Sequence, residues 1–258
     1  MTAVLLVHSG GFTSRQWRKL AEQLAQRYRV IAPDLLGYGA EPWPVGKPFD
    51  FRQDVAHLTA LLDEPAHVVG HSYGGLLAMQ VALAVPDRVR SLALYEPVAF
   101  GVLDEPSDAD ARSSIAQLGA YTPDEHGVDE AWLAGFVDWW NGAGAWARLG
   151  DDTKRAFRDV GWKVSQEVAS LIADRTDRQH YAAITVPTLL LGGEQTQQAE
   201  RRVLDKLVTT LPSATLRVFP GLGHMGPITH AALVNAAIVE HIDRVDTAIC
   251  RDDGARAR

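Results

Sequence analysis

Short apolar runs alternate with helical patterns along most of this chain. Six runs of four or five residues, bounded by glycine, proline or polar residues, have the composition of buried β-strands. These runs are Val4–His8, Arg29–Ala32, His67–Gly70, Ser91–Tyr95, Thr188–Leu191 and Thr215–Phe219. Apolar residues recur at helical spacing in Arg15–Arg27, Asp50–Leu62, Gly75–Val85 and Ala231–Ile242. The alternation predicts the α/β class, with a mostly parallel sheet of about six strands flanked by helices.

One long stretch, residues 101–183, lacks strand-like runs. We expect it to form a helical cap inserted into a core that consists of residues 1–100 and 184–246. Aromatic side chains in such an insertion indicate an apolar pocket, although a single tryptophan more often fills a helical core. The tail, residues 247–258, shows no apolar periodicity, and we expect it to be disordered. The tryptophans of the insertion are Trp132, Trp139, Trp140, Trp146 and Trp162.

Charge and composition exclude several classes of function. The net charge of −7 gives no electrostatic case for binding nucleic acid or an anionic membrane. The apolar runs are too short to span a bilayer, and no secretory signal pattern is visible at the N-terminus. Cys250 is the only cysteine, so we expect an incidental exposed thiol and no disulfide. These features predict a cytoplasmic monomer or homodimer whose partner is a small-molecule substrate.

A serine flanked by glycines stands where the third strand gives way to a helix, in the segment Gly70-His71-Ser72-Tyr73-Gly74. Small residues two positions either side of the serine allow a sharp turn that lifts its hydroxyl above the sheet edge. The backbone N–H of Tyr73 then lies at a helix N-terminus, where a developing anion is favoured. The pattern predicts Ser72 as a nucleophile and Tyr73 as an oxyanion donor. The structural alternative is a turn that needs glycine for its geometry alone.

Two loops at strand ends complete the candidate site. The loop His8-Ser9-Gly10-Gly11 can bring a second backbone N–H to a substrate carbonyl; we choose Gly10, with Gly11 as the near alternative, and expect His8 to be structural. In the segment Gly221–Met225, His224 follows the last strand, on the edge where sites form in open α/β sheets. It is the predicted general base for Ser72. His67 and His71 flank the third strand, and we expect them to point away from a role as partner of the serine.

With these motifs, the chain resembles the α/β-hydrolase family over roughly residues 3–245. The segments Val4–Gly11, Ala32–Gly39, Gly70–Gly74 and Gly221–His224 match the family in order and spacing. The resemblance implies an inserted helical cap and hydrolysis of esters or related bonds. Acyl transfer to a serine requires no cofactor, and the sequence shows no cluster of His, Asp and Glu with the spacing of metal ligands. It also makes Asp34 a residue that shapes its loop. Family members usually have a β-hairpin before the first of these strands, whereas this chain starts at that strand, so we expect a sheet without the antiparallel member.

The acid that orients the histidine is displaced from the family's common position. Many relatives carry aspartate where this chain has Thr196, and Glu194 lies slightly earlier in the same turn. The family's other arrangement places the acid after the strand that follows the nucleophile helix, which is Glu96 here. Its carboxylate would accept a hydrogen bond from the histidine and fix the ring tautomer. We prefer Glu96 to Glu194 as this acid; the alternative for Glu96 is a buried carboxylate with a structural role. Asp174 and Asp177 are weaker candidates because they lie in the cap.

A serine nucleophile narrows the reactions within the family. Haloalkane dehalogenases and epoxide hydrolases use aspartate at this turn, because their intermediate is an alkyl ester. Serine favours carboxylic esters, lactones, thioesters, carbon–carbon cleavage of diketones, or perhydrolysis. The tryptophan-rich cap favours an apolar or aromatic portion, so we predict a carboxylic ester or lactone hydrolase acting through Ser72, with carbon–carbon hydrolysis second. A hypothesis from another class is a non-catalytic small-molecule binder or receptor on the same fold, in which the displaced acid marks a decayed triad.

Overall fold

Six strands form one parallel sheet in the computed structural model, which describes residues 1–40, 42–119 and 129–256. The strand order is β2-β1-β3-β4-β5-β6, and every neighbouring pair is parallel. The predicted strands are confirmed to within two residues at each end, and no antiparallel strand joins this sheet within the described residues. The strands are β1 (Ala3–Val7), β2 (Arg29–Ile31), β3 (Ala66–His71), β4 (Val89–Tyr95), β5 (Thr188–Gly193) and β6 (Ala214–Phe219).

Helices connect these strands and also fill the long stretch between β4 and β5. The helices outside that stretch are α1 (Arg18–Leu24), α2 (Arg52–Ala60), α3 (Tyr73–Ala84), α9 (Gln198–Thr210), α10 (Gly226–Thr229) and α11 (Ala231–Arg256). The inserted helices are α4 (Ala109–Leu118), α5 (Glu130–Asn141), α6 (Ala145–Arg148), α7 (Asp151–Ala173) and α8 (Arg178–Tyr181). None of the described helices is long and apolar enough to cross a lipid bilayer.

Alternate residues of β1 enter two different hydrophobic clusters. Ala3, Leu5 and Val7 pack with α2, α3 and α9, whereas Val4 and Leu6 pack with α1 and α11. Successive side chains of a strand point to opposite faces of its sheet. Both faces of this sheet are therefore covered by helices, which explains why its central strands are continuous apolar runs.

The last helix, α11, continues to Arg256 instead of ending near Ile242, so it extends through most of the tail that we expect to be disordered. Polar contacts hold this helix against the core. Asp246 accepts hydrogen bonds from the Tyr28 hydroxyl at 2.9 Å and from His67 Nε2 at 3.0 Å. Arg27 pairs with Asp243 one turn earlier. Apolar periodicity along the chain gives no indication of these contacts, because they are polar and their partners lie far away in the sequence.

The carboxyl ends of five strands meet at one edge of the sheet and carry the polar residues of interest. Parallel strands place such ends side by side, so residues distant in the chain become neighbours there. The residues that follow the strands are Gly10 after β1, Ser72 after β3, Glu96 after β4, Thr196 after β5 and His224 after β6.

Candidate active site

Ser72 occupies the single position between β3 and α3, and its backbone is strained. Its φ of 56° and ψ of −119° are rare for a residue with a side chain and cost on the order of 1–3 kcal/mol. The turn is tight enough that a Cβ on Gly70 would collide with the carbonyl of Gly74. A Cβ on Gly74 would collide with the carbonyls of Val7 and His8 at the end of β1, so close backbone approaches require both glycines. Ser72 itself lines the cavity.

The structure brings three predicted residues into one hydrogen-bonded chain. Ser72 Oγ lies 2.9 Å from His224 Nε2, and His224 Nδ1 lies 2.6 Å from Glu96 Oε2. All three side chains are buried. The alternative acid, Glu194, is exposed and accepts a hydrogen bond from the Gly221 N–H at 3.0 Å. Of the two candidates, Glu96 is therefore the one that contacts the histidine.

Two further donors hold the Glu96 carboxylate. Oε1 accepts a hydrogen bond from the Gly193 N–H at 2.7 Å, and Oε2 accepts one from the Thr196 hydroxyl at 2.6 Å. The backbone of Glu96 is itself in the left-handed region, with a φ of 45°. Thr196 thus donates to an acid from the adjacent strand. In the sequence, Thr196 stands out only because many relatives carry aspartate there. Its hydroxyl is the one feature that indicates a hydrogen bond to a neighbouring acid.

The loop that carries His224 is fixed by two buried rings. His71 Nε2 donates to the backbone carbonyl of His224 at 2.9 Å, while its Nδ1 accepts from Gln16 Nε2 at 3.1 Å. Burial lowers the pKa of His71 well below its ordinary value, so the ring is neutral and keeps this tautomer. The Tyr95 hydroxyl donates to the Gly223 carbonyl at 2.8 Å. His71 therefore supports the loop that carries His224 through a hydrogen bond to its backbone.

His8 and Asp34 have the structural roles expected of them. His8 Nδ1 donates to the Ser9 carbonyl at 2.8 Å, and its Nε2 accepts from the Leu35 N–H at 3.0 Å. Burial lowers the pKa of His8 to about 4, which keeps the ring neutral. Asp34 accepts a hydrogen bond from the Ser14 N–H at 2.7 Å. Both side chains therefore join the loop after β1 to the loop after β2.

The geometry also distinguishes the candidate oxyanion donors. The N–H of Gly11 donates to the Tyr38 hydroxyl at 2.9 Å, so that group is already used. Gly10 and Tyr73 both line the cavity that contains Ser72 and His224. Tyr73 is the first residue of α3, where a backbone N–H has no partner within its own helix. Gly10 and Tyr73 are thus better placed than Gly11 to bind an anion.

An apolar cavity of about 410 Å³ opens over these groups. Of the five tryptophans expected to line it, only Trp140 does so, and its ring stacks on His224 with 3.8 Å between centroids. Three others, Trp132, Trp139 and Trp146, belong to the hydrophobic clusters behind the wall, as with Trp146 against Phe157. Trp162 lies outside these clusters, and its Nε1 donates to the Lys47 carbonyl at 3.4 Å. The aromatic lining comes mainly from phenylalanines that the sequence reading did not single out, namely Phe12, Phe100, Phe136 and Phe157.

A second carboxyl group lies buried beside Glu96. Glu200, in the first turn of α9, is fully buried, and neither of its oxygens has a hydrogen-bond partner among the described residues. Burial raises its pKa well above the ordinary value, and repulsion from Glu96 adds to the shift. Glu200 is therefore a neutral acid at moderate pH, and its position in a polar helix gave no sign of this in the sequence.

We expect Glu200→Met to raise the free energy of unfolding by about 1–3 kcal/mol at about pH 8, because a buried polar group without a partner is replaced by an apolar one. The folded protein keeps a proton on Glu200 that the unfolded chain loses above the ordinary pKa of 4.5. Glu200 therefore destabilises the folded protein more as the pH rises. The stabilisation that Glu200→Met brings should be smaller at about pH 5 than at about pH 8. Urea unfolding at both pH values measures this.

Glu194→Met is the matched control for that experiment, because Glu194 is an exposed carboxylate on the turn just before the same helix. It should leave the pH dependence of the unfolding free energy unchanged. A Glu200→Met variant that is destabilised at both pH values would show that Glu200 has a favourable partner in the folded protein.

Comparison with known proteins places the chain in a family. The sequence profile of the alpha/beta hydrolase family matches residues 4–237. A segment of 98 residues is 43% identical to the lipase LipV of Mycobacterium tuberculosis, a match that spans only 36% of each chain. Over 246 residues the chain is 30% identical to the pimeloyl-[acyl-carrier protein] methyl ester esterase of Chromobacterium violaceum, covering 93% of this chain and 94% of that protein.

A solved structure agrees with this placement at the level of the fold. The meta-cleavage product hydrolase from Pseudomonas fluorescens IP01 superposes with a TM-score of 0.70 at 23% identity, covering 95% of this chain and 91% of that one. The family profile extends over most of the chain, and it includes the serine turn and the histidine loop described above. The chain therefore belongs to the alpha/beta hydrolase family and is a hydrolase of that type.

Proposed function

We propose that this protein is a serine hydrolase that cleaves a carboxylic ester or lactone with an apolar or aromatic portion. The observation that carries the proposal is the hydrogen-bonded chain from Ser72 through His224 to Glu96 at the wall of an apolar cavity. A nucleophile, a base and an orienting acid in this order are the parts that acyl transfer requires. The similarity to a methyl ester esterase over nearly the whole chain supports the ester class.

The first half of the reaction forms an acyl-enzyme. His224 Nε2 takes the proton from Ser72 Oγ as the oxygen attacks the carbonyl carbon of the ester. The N–H groups of Gly10 and Tyr73 stabilise the negative charge that develops on the carbonyl oxygen. The carbon–oxygen bond to the alcohol then breaks, and His224 returns the proton to the departing oxygen. Glu96 stabilises the imidazolium through its hydrogen bond from Nδ1.

The second half returns the enzyme to its starting state. A water molecule gives a proton to His224 and attacks the acyl carbon, and the bond to Ser72 Oγ breaks as the serine regains its proton. Trp140, stacked on the imidazole, limits the motion of the ring and shields it from bulk water. The cavity volume is in the lower part of the range for small-molecule sites, so the bound portion of the substrate is of moderate size.

Hydrolysis of p-nitrophenyl esters of increasing acyl length tests the proposal, together with a parallel series of lactones. We expect kcat/KM to rise with chain length until the acyl group fills the cavity and to fall beyond that point, because longer chains must leave the apolar lining. A fluorophosphonate probe should label the wild-type protein at Ser72. The Ser72→Ala variant is the control for both measurements.

Two results would contradict the proposal in different ways. A folded wild-type protein that is labelled by the probe but cleaves neither esters nor lactones would favour carbon–carbon hydrolysis of diketones. A protein that is neither labelled nor active would favour a non-catalytic binder, because labelling requires an activated serine.

A further inference from the structure

A cluster of buried charged side chains borders the cavity, whose lining includes Glu167, and the proposed mechanism does not use this cluster. Lys163 and Glu167 are one turn apart on α7, and Asp54 belongs to α2; all three are buried. Lys163 Nζ lies 2.7 Å from Glu167 Oε1 and 3.1 Å from Asp54 Oδ2. It also lies 3.8 Å from the ring centroid of Phe49. The cluster therefore joins an inserted helix to the core through charges that are removed from water.

One branch of the cluster reaches the loop after β1. The Tyr38 hydroxyl lies 2.9 Å from both carboxylate oxygens of Glu167, to which it donates, and it accepts the hydrogen bond from the Gly11 N–H. Glu167 also lies directly against Gly10, since a Cβ on that glycine would be only 2.6 Å from Oε2. Glu167 thus packs against Gly10, and Tyr38, which donates to Glu167, also accepts the N–H of the next residue, Gly11.

A second branch reaches the turn that carries the other donor. The Tyr73 hydroxyl donates to Asp54 Oδ2 at 2.7 Å, and this is the same oxygen that Lys163 contacts. Asp54 Oδ1 accepts a hydrogen bond from the Leu36 N–H at 2.9 Å. The side chain of Tyr73 is therefore anchored in the cluster, and the residue lines the cavity next to Ser72.

The protonation states agree with these directions of donation. Burial raises the pKa values of Tyr38 and Tyr73 well above their ordinary range, so both hydroxyls keep the proton that they donate. Burial also raises the pKa of Glu167 to about 7, since loss of hydration outweighs the attraction of Lys163. Buried ion pairs of this kind contribute little net stability compared with apolar packing. Stability alone is therefore a weak explanation for placing the cluster here.

We propose that this cluster holds the two oxyanion donors, the N–H groups of Gly10 and Tyr73, at their working positions. Lys163 and Glu167 are then positioning residues supplied by α7, and Tyr38 and Asp54 transmit their effect to the two loops. The inference rests on the proposed ester hydrolysis. Its physical basis is that an oxyanion site works through donors fixed in advance, so a displacement of a few tenths of an ångström weakens transition-state binding more than substrate binding.

Tyr38→Phe tests the inference, because it removes only the hydroxyl that joins Glu167 to Gly11. We expect kcat for p-nitrophenyl heptanoate to fall by about tenfold to a hundredfold while KM changes by less than about twofold. The second readout is inhibition by the trifluoromethyl ketone that carries the same hexyl chain. In its adduct, Ser72 Oγ bonds to the ketone carbon, the serine proton passes to His224, and the resulting oxyanion occupies the same two donors. The inhibition constant should therefore rise by the same factor as KM/kcat.

Glu167→Gln is the second variant, because it keeps the shape of the side chain and removes the negative charge of its ionised form. It should show the same parallel change in KM/kcat and in the inhibition constant, and it decides the matter if Tyr38→Phe does not fold. Arg158→Met is the matched control on the same helix: it breaks an exposed ion pair with Glu130, 2.8 Å long, that does not touch the loops. Both readouts should stay at the wild-type value in that control.

Three outcomes overturn the inference. Folded Tyr38→Phe and Glu167→Gln variants that retain wild-type kcat show that the cluster does not position the donors. Variants that lose kcat but bind the ketone as tightly as wild type show that the loss arises elsewhere in the reaction. A wild-type protein that neither hydrolyses the ester nor reacts with a fluorophosphonate overturns the proposed function, and this inference falls with it.

Discussion

Replacement of Ser72 by alanine is expected to lower kcat for the best ester by a factor on the order of 10⁶, as for serine nucleophiles on an unrelated fold. Ser72 Oγ is the hydroxyl that lies within hydrogen-bond distance of His224 Nε2. Its loss removes the acyl-enzyme route and leaves only the rate that binding and the oxyanion donors can supply. Steady-state kinetics with purified protein measures the effect, and labelling by a fluorophosphonate should disappear at the same time.

Ser165→Ala is the matched control, because Ser165 is also a buried serine but donates its hydroxyl to the Trp162 carbonyl at 2.8 Å. It should retain wild-type turnover. Thermal unfolding of both variants should show that each is folded at the temperature of the kinetic assay. Residual turnover above about one per cent in Ser72→Ala, far above the expected loss, would assign the nucleophile to another group.

Glu96→Gln is expected to lower turnover by at least about a hundredfold, and by up to about 10⁴ if the acid acts as in other triads. The carboxylate accepts hydrogen bonds at both oxygens, from Gly193 on one side and from Thr196 and His224 on the other. An amide has one acceptor oxygen, so in either orientation its NH₂ group faces a donor. With the NH₂ group toward His224, the ring must carry its proton on Nε2 and cannot accept the proton of Ser72.

The control for Glu96 is Glu194, the other glutamate that the sequence offers as the acid of the triad. Glu194→Gln changes an exposed carboxylate that bonds to the Gly221 N–H, so turnover should stay within about twofold of wild type. Urea unfolding should show that both variants remain folded at the assay temperature. If Glu194→Gln abolishes turnover and Glu96→Gln does not, the assignment of the acid to Glu96 is wrong.

Several features could be predicted from the sequence because they depend on local spacing. The six strands are marked by short apolar runs, and both faces of the sheet are covered, so those runs stand out from their surroundings. Ser72 lies in a motif whose glycines are needed within five residues of each other. His224 follows the last strand, and parallel strands bring such positions to one edge. The structure places both residues where these patterns predicted.

Other features depend on which groups meet across elements, and local spacing carries little information about that. Glu96 and Glu194 both follow strands that end at the same edge, and only the directions of their side chains show that one reaches His224 and the other reaches Gly221. The aromatic lining illustrates the same point. The inserted helices orient phenylalanines toward the cavity and most of the tryptophans away from it, and a count of aromatic residues cannot reveal the direction.

By itself, the sequence determined the α/β fold, the turn at Ser72 and the loop of His224, because each depends on a pattern of residues that are neighbours in the chain. Only the tertiary structure decided that Glu96 bonds to the histidine, that Asp246 on α11 bonds to Tyr28, and that Lys163 on α7 meets Asp54 on α2. Each of these contacts joins residues at least a hundred positions apart, so its energy depends on geometry that no segment contains alone.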